Sequence, residues 1–465
     1  MAYPSCFYYP TWMEKVEIKT SQLLLTSYLA QFYPVEYADF EITIGRPNSP
    51  SQIKRYERRV TEFLSNHNFD ILAISCWTSL SYQAALTTAR ICRQIDSKKL
   101  IVVGGYHASA RPEEFVTEEN LFDFVVCGEG ELALRQIAED FEQSGRPART
   151  KIIKSPTFEG EHFIGYNWDL VDDFFRREFP RGLTNLYLYM SRGCPFGCSF
   201  CMEPLKDRRW RAFSPSDGIK ELREAAEKYH PAGVALADAC FGMRPGWRKE
   251  FLRRLVDLRP SYWVVFETRP EYLDAEDISM LANLKVEVQF GVESCSPEML
   301  TLMKKTRQPE KFLNNFRKIS HLLSEKGVMH RANLIFNHPG ETRRTLEETF
   351  KFIDKELENR NSTLMWAGHG YMHFPGCELD TNKEFYETNF GSRFLKSDWW
   401  KENNDQYAAS MEFIPSTDLS DDNRKLWERM LNLRVEKMKE ALTPEAFRFA
   451  AKKYFLDWKA DPRYV

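Results

Sequence analysis

Three cysteines, Cys194, Cys198 and Cys201, stand at C-x3-C-x2-C spacing directly after the apolar run Leu186-Tyr-Leu-Tyr-Met190. A structural zinc site needs a fourth Cys or His, and fingers and ribbons bring it as a second close pair. No second pair follows here. Three thiolates suit an iron–sulfur cube, because four would saturate a 4Fe–4S cluster whereas three leave one iron open to another ligand. Gly193, Pro195 and Gly197 let the loop fold tightly and aim backbone N–H groups at the cluster sulfurs. The seven other cysteines (Cys6, Cys76, Cys92, Cys127, Cys240, Cys295 and Cys377) occur singly and read as buried small hydrophobes rather than disulfides.

At 465 residues the chain has room for about three domains. Its 64 basic and 67 acidic residues give a net charge of −3, which favours neither nucleic acid nor a membrane surface as partner. No apolar run approaches the roughly 20 residues of a spanning helix, and Met1-Ala-Tyr-Pro lacks the pattern of a signal peptide, so a cytoplasmic protein is expected.

The order of apolar runs and helical patterns predicts an α/β protein. Residues 1–145 form a first α/β domain, with strands at 70–76, 99–103 and 122–127 and a crossover helix over Ser81–Arg93. These strands end in Trp77-Thr78-Ser79, Gly104-Gly105-Tyr106-His107 and Gly128-Glu129-Gly130, loops that converge at the carboxyl edge of a parallel sheet, where ligands bind. Residues 146–185 read as a linker. Six further strands, near 186–190, 233–237, 263–267, 286–290, 332–337 and 366–373, fall short of the eight of a closed barrel and predict a partial (β/α)6 barrel over 186–380. Residues 381–465 read as a helical C-terminal cap.

Cys-x3-Cys-x-Phe200-Cys after a first strand resembles the radical S-adenosylmethionine (radical SAM) superfamily. The resemblance implies that the open iron chelates the amino and carboxylate groups of S-adenosylmethionine, which one electron then cleaves to methionine and a 5′-deoxyadenosyl radical. Asp238-Ala-Cys-Phe241 resembles the family's turn after the second strand, Gly291-Val-Glu293-Ser294 its fourth-strand motif, and Asn337-His-Pro-Gly340-Glu341-Thr its fifth. Phe374-Pro-Gly376 follows the sixth strand. By this resemblance Phe200, Asp238, Gly291, Glu293, Ser294 and Asn337 bind S-adenosylmethionine, and the three cysteines are catalytic as cluster ligands.

Asp70–Glu131 resembles the cobalamin-binding domain that precedes the barrel in one large subfamily, a Rossmann-like, doubly wound sheet. The matching residues are Ile74-Ser-Cys-Trp77-Thr78-Ser79, Val103-Gly104-Gly105-Tyr106-His107-Ala-Ser109, Pro112-Glu-Glu114 and Val126-Cys-Gly128-Glu129-Gly-Glu131. Paired glycines at a strand end let a planar ring approach the backbone. The resemblance implies cobalamin contacts from Trp77, Thr78, Ser79, Gly104, Gly105, Tyr106, His107, Gly128 and Glu129. No histidine stands in the Asp-x-His-x-x-Gly pattern that ligates cobalt in mutase-type domains, so the lower face of cobalt should meet another group, with Trp77 as candidate.

Glu267 and Arg269 alternate at the end of the third barrel strand, where they reach a cofactor or form an ion pair lining the barrel. The basic run Arg208-Arg-Trp-Arg211 reads as a solvated face or as packing on the cofactor domain. The chemistry implied is C-methylation of an unactivated carbon in a small-molecule or peptide natural product, with an external one-electron reductant such as flavodoxin or ferredoxin. The alternatives are a non-methylating rearrangement, cyclisation or group transfer on the same architecture, and an iron–sulfur protein without S-adenosylmethionine chemistry.

Overall fold

The computed structural model describes residues 20–45, 50–158, 165–179, 185–402, 409–419 and 423–446. The expected beginning of the first domain before Thr20 and the end of the cap beyond Ala446 lie outside the described residues.

The first sheet is parallel, with strands β1 (Ile71–Ser75), β2 (Leu100–Gly104), β3 (Phe124–Cys127) and β4 (Lys151–Lys154) hydrogen-bonded in that order. The two-residue period of a strand sends alternate β2 side chains to opposite faces. Ile101 and Val103 pack under helices Pro50–Asn66 and Tyr82–Ile95, with Tyr56, Val60, Ala85 and Ala89. Leu100 and Val102 pack under helices Thr20–Leu29 and Glu131–Ser144, with Leu25, Leu134 and Ile137. Both faces of the sheet are therefore covered, as the continuous apolar runs of a parallel sheet require.

The stretch read as a linker is corrected by β4 and by the helix Asp172–Glu178. Lys151-Ile-Ile-Lys154 is a mostly exposed edge strand flanked by lysines, a pattern that separates poorly from a loop in the sequence.

The second sheet holds six parallel strands: β5 (Asn185–Leu188), β6 (Gly233–Leu236), β7 (Trp263–Thr268), β8 (Val286–Glu293), β9 (Met329–Phe336) and β10 (Leu364–Gly370). They pair in sequence order, and among the described residues β5 and β10 are not bonded to each other, the arrangement expected of a partial barrel. The crossover helices carry their own start signals. Ser214 accepts from Asp217 N at 3.1 Å with Pro215 at the first helical position, and Thr342 caps Thr345 N at 3.3 Å.

The region after Gly376 departs from a purely helical cap. Short helices Glu378–Thr381 and Lys383–Phe390 lead into a two-stranded hairpin, Arg393–Phe394 with Phe413–Ile414, and then helix Asn423–Ala441. Trp399 and Trp400 are fully buried in the core of the first domain, whereas Trp427 and Leu431 enter the barrel core. The cap thus fastens both units. No described helix is long and apolar enough to cross a membrane.

Candidate functional site

The loop that bears the three thiols is pinned where it leaves β5. Asp238, fully buried after β6, accepts Met190 N at 2.7 Å, Ser191 N at 3.0 Å and Ser191 Oγ at 2.7 Å. Burial lifts its carboxyl to about 6, against the pull of these hydrogen bonds. Asp238 therefore acts on the loop's root. Gly193 has φ 82°, and a Cβ there would stand 2.2 Å from the Arg209 carbonyl, so only glycine serves. Further on, Ser199 N donates to Met303 O at 2.9 Å and Leu379 N to Ser199 O at 2.8 Å.

Cys198 is buried and Cys194 and Cys201 are half-buried. Glu203 N donates to Cys201 Sγ at 3.4 Å, the kind of N–H···S bond that a cluster ligand receives. Burial pushes the Cys194 thiol up to about 11 and raises Cys198 too, while the nearby Lys305 and Arg269 pull Cys198 the other way. Among the described residues no three Cys, His, Asp or Glu side chains close on a single metal ion. One tetrahedral zinc holds its thiolates about 2.3 Å from a common centre, whereas a cube gives each thiolate its own iron. Phe200 turns away into an apolar cluster, edge-on to His338 at 6.3 Å.

Beside the thiols the strand ends of the barrel gather charge. Lys305 Nζ donates to Glu293 Oε1 at 3.0 Å, and Arg269 Nη2 donates to Lys305 O at 2.9 Å. Glu293 sits at φ 67°, next to an irregularity in the β8–β9 register. A Cβ on Gly291 would lie 2.5 Å from Glu293 Oε1, 2.9 Å from Lys305 Nζ and 3.2 Å from Glu267 Oε1. Glycine there leaves the space in which these three side chains meet. Arg269 stacks over Phe196 at 4.0 Å and pairs with Glu271 at 2.6 Å.

Asn337, at φ 56°, donates its N–H to Glu341 at 2.6 Å and keeps a buried Oδ1 with no partner among the described residues. Ser294 faces the opposite way, 3.1 Å from Thr349 Oγ1, and accepts Ser296 N. Lys305 and His369 were not singled out from the sequence. His369 lies on β10 near Glu293, with a buried Nε2 that also has no partner among the described residues. Both stand on elements remote in sequence from the thiols and carry no local motif.

The first domain meets the root of the thiol loop across a cavity of about 1090 Å³, whose lining does not include the three cysteines, Glu293, Lys305 or Asn337. From the first sheet come Trp77, Gly104, Gly105, Tyr106, Gly128 and Glu129; from the barrel come Ser191, Arg192, Gly193, Glu203 and Lys206. Gly105 has φ 105°, and a Cβ there would stand 2.5 Å from Cys76 O, so the loop bends sharply only with glycine. Tyr106 donates its hydroxyl to Glu203 and lies 4.0 Å beneath Lys206 Nζ. Glu129 is gripped by Arg211 at 2.7 and 3.0 Å and by Phe158 N at 2.8 Å.

Thr78, Ser79 and His107 instead lie behind the cavity wall. Thr78 caps Leu80 N, and Ser79 Oγ is 2.7 Å from His107 Nδ1. His107 Nε2 is 3.3 Å from Glu114, which also accepts Trp400 Nε1 at 2.8 Å and Lys401 Nζ at 3.1 Å. Burial holds the His107 imidazole below its ordinary range despite Glu114. This chain of contacts fastens the cap to the first domain.

The glycine-bearing loops of a doubly covered parallel sheet thus face the root of a three-thiol loop across one cavity. Residues 188–353 match the Radical SAM superfamily and residues 26–138 match the B12 binding domain. The chain thus carries a radical SAM domain and a B12-binding domain together. It is 26% identical over 337 residues to an uncharacterized methyltransferase, PH0819, of Pyrococcus horikoshii, covering 64% of this chain and 66% of that one. It is 22% identical over 304 residues to the cobalamin-dependent radical SAM methyltransferase TokK of Streptomyces tokunonensis, covering 60% and 44%. The chain therefore spans less than two thirds of the length of these relatives. In fold it is similar to the radical S-adenosylmethionine methyltransferase TsrM of Kitasatospora setae, with TM-score 0.60, 17% identity and coverage of 79% and 75%.

These domains imply a 4Fe–4S cluster, S-adenosylmethionine and cobalamin, and the residues present fit them. Three thiols and an N–H···S donor suit the cluster. The orphaned Asn337 Oδ1 and the space over Gly291 suit a polar ligand beside it. The bare Gly105 backbone at the cavity wall suits a large planar ring.

Proposed function

We propose that the chain is a cobalamin-dependent radical SAM C-methyltransferase acting on an unactivated carbon of a small-molecule or peptide substrate. The observation that carries this reading is the single cavity, bounded on one side by the glycine loops of the first sheet and on the other by the root of the thiol loop and by Glu203 and Lys206. A group stored on one side can meet a substrate activated on the other only where both sides face one space.

When bound, the cluster with S-adenosylmethionine supplies a 5′-deoxyadenosyl radical and cobalamin supplies the methyl group. In this reading Cys194, Cys198 and Cys201 hold the cluster. Glu293, Lys305 and Asn337 orient S-adenosylmethionine beside it, with Gly291 clearing the space. Trp77, Gly104, Gly105, Tyr106 and Gly128 form the cobalamin wall, while Asp238, Ser79 and His107 position these loops from behind. Arg192 and Glu131, paired at 2.7 Å, keep the roof of the cavity polar and fixed.

The reading takes the substrate as a small molecule or peptide and the electron donor as a separate carrier protein. It takes the enzyme as cytoplasmic, supported by nine free thiols among the described residues. The test is turnover with methyl-labelled S-adenosylmethionine. Label in the product supports a methyltransferase, and 5′-deoxyadenosine without transferred label sinks that assignment.

A further inference from the structure

Cys201 is followed by Met202-Glu-Pro-Leu-Lys206, which turns once as the short helix Glu203–Leu205, with Lys206 N donating to Glu203 O at 3.1 Å. Residues three apart eclipse in so tight a turn. Met202 and Leu205 accordingly pack together into the core of the first domain, while Glu203 and Lys206 line the cavity. The turn thus holds a lysine of the barrel unit against the loop that bears Gly105. Lys206 is half-buried, and its Nζ stands 4.0 Å from the centre of the Tyr106 ring.

The cavity has three basic residues in its lining, and two of them are paired, His67 with Glu36 at 3.1 Å and Arg192 with Glu131 at 2.7 Å. Lys206 is the third, and among the described residues it has neither an ion-pair partner nor a hydrogen-bond partner for its ammonium. The carboxylates around it are engaged elsewhere: Glu203 accepts the Tyr106 hydroxyl and Glu129 is held by Arg211. Burial pulls the Lys206 ammonium below the ordinary lysine range, against the pull of these carboxylates. A desolvated charge without an acceptor is costly, and an oxygen brought in by a ligand relieves that cost.

We infer that Lys206 anchors the corrin ring, its ammonium donating to a carboxamide oxygen at the ring's edge. The inference rests on the cobalamin-binding reading above. Carboxamide side chains surround the corrin ring, and the phosphodiester of the nucleotide tail offers oxygen acceptors too. Tyr106 directly follows Gly105, whose bare backbone suits the ring, so an ammonium held over Tyr106 stands at the ring's edge rather than at the tail.

The test is equilibrium titration, read by visible absorbance, of the cluster-reconstituted chain with hydroxocobalamin and with cobinamide, which keeps the ring and its amides but lacks the nucleotide tail. Lys206→Met retains an aliphatic stem over Tyr106 and removes the ammonium. It should bind both corrinoids about tenfold more weakly, as expected for a lost hydrogen bond to a charged group. Lys220→Met, an exposed change on the outer helix Pro215–Tyr229, should stay within about twofold of wild type. The melting temperature of the corrinoid-free Lys206→Met chain should not fall, because a desolvated charge has been removed. Affinity of Lys206→Met within about twofold of wild type for both corrinoids overturns the inference. So does a loss confined to hydroxocobalamin, which puts the acceptor on the tail. A lower melting temperature for corrinoid-free Lys206→Met also overturns it, because Lys206 would then support the wall instead of the ring. A wild-type chain that takes up neither corrinoid overturns the proposed function itself, which separates the two failures.

Discussion

The Tyr106 hydroxyl donates to the Glu203 carboxylate, and this one contact joins the loop after β2 to the segment that follows the last cysteine. Around it the short stretch Tyr106–Glu114 makes further links between the units. Arg111 pairs with Asp380, and Glu114 accepts from Trp400. A Cβ on Gly376 would stand 2.6 Å from Ala110 Cβ, so the Ala110 side chain packs directly on the Gly376 backbone. Tyr106→Phe should leave iron and cobalamin content unchanged and cost about 1.5–3 kcal/mol, the worth of a hydrogen bond to a charged group. It should also uncouple the halves: methylated product per 5′-deoxyadenosine, measured by mass spectrometry, should fall severalfold. An unchanged ratio would show that the latch is only structural.

Asp238→Ala should impair cluster loading without touching a cluster ligand. Two backbone N–H groups and the Ser191 hydroxyl lose their acceptor, at about 1–3 kcal/mol for a buried donor left unsatisfied. Iron per chain after reconstitution should drop by half or more, and Asp238→Asn, which retains one acceptor oxygen, should recover most of it. Full iron content in the alanine variant would contradict this role.

Replacing Cys194, Cys198 or Cys201 by alanine should each abolish 5′-deoxyadenosine formation, while cobalamin absorbance after loading and desalting stays near wild type. Cys92, buried between the Tyr82–Ile95 helix and its neighbours, gives the contrast. Cys92→Ala should lower stability by about 1 kcal/mol and leave radical formation intact. Loss of radical formation in Cys92→Ala, or its survival in any of the other three, would refute the division.

Gly105→Ala should weaken cobalamin binding at least tenfold, because the loop must move to relieve a Cβ 2.5 Å from Cys76 O and an unfavourable positive φ. Equilibrium titration with hydroxocobalamin reads this directly. Affinity within twofold of wild type would mean that the loop does not present its backbone to the ring.

Glu341 predicts a pH dependence of stability. It is 1% exposed, and burial lifts its carboxyl to about 8 from an ordinary 4.5, against a hydrogen bond from Asn337 N. An unfolded chain sheds this proton near its ordinary value, while the folded chain keeps it until about pH 8. The contribution is thus full below the unfolded value and lost as pH rises through the folded one. Glu341→Gln keeps an acceptor and cannot ionise. The melting temperature of wild type relative to this variant should therefore decline between about pH 5 and pH 8.5. A flat difference would mean that the group is ionised in place.

The strands were legible because parallel, doubly covered strands read as apolar runs, and β1, β2 and the six barrel strands fall within a few residues of their expected positions. The thiol loop was legible because its chemistry is local. Lys151–Lys154 was not, since an exposed edge strand has no such run. Lys305 and His369 were not, because each reaches the site from an element whose own sequence carries no mark of it. Thr78, Ser79, His107 and Ser294 stand in the loops expected, but their side chains point into packing. A loop's position follows from strand order, whereas the direction of a side chain depends on what packs behind it.

By itself the sequence determined the two units, their order and the three thiols, because strand periodicity and close ligand spacing are properties of neighbouring residues. Only the tertiary structure decided that both units face one cavity, that Asp238 serves the loop's root and that Lys206 stands over Tyr106. Those facts depend on contacts between residues far apart in the chain, such as Tyr106 with Glu203, for which no local pattern exists.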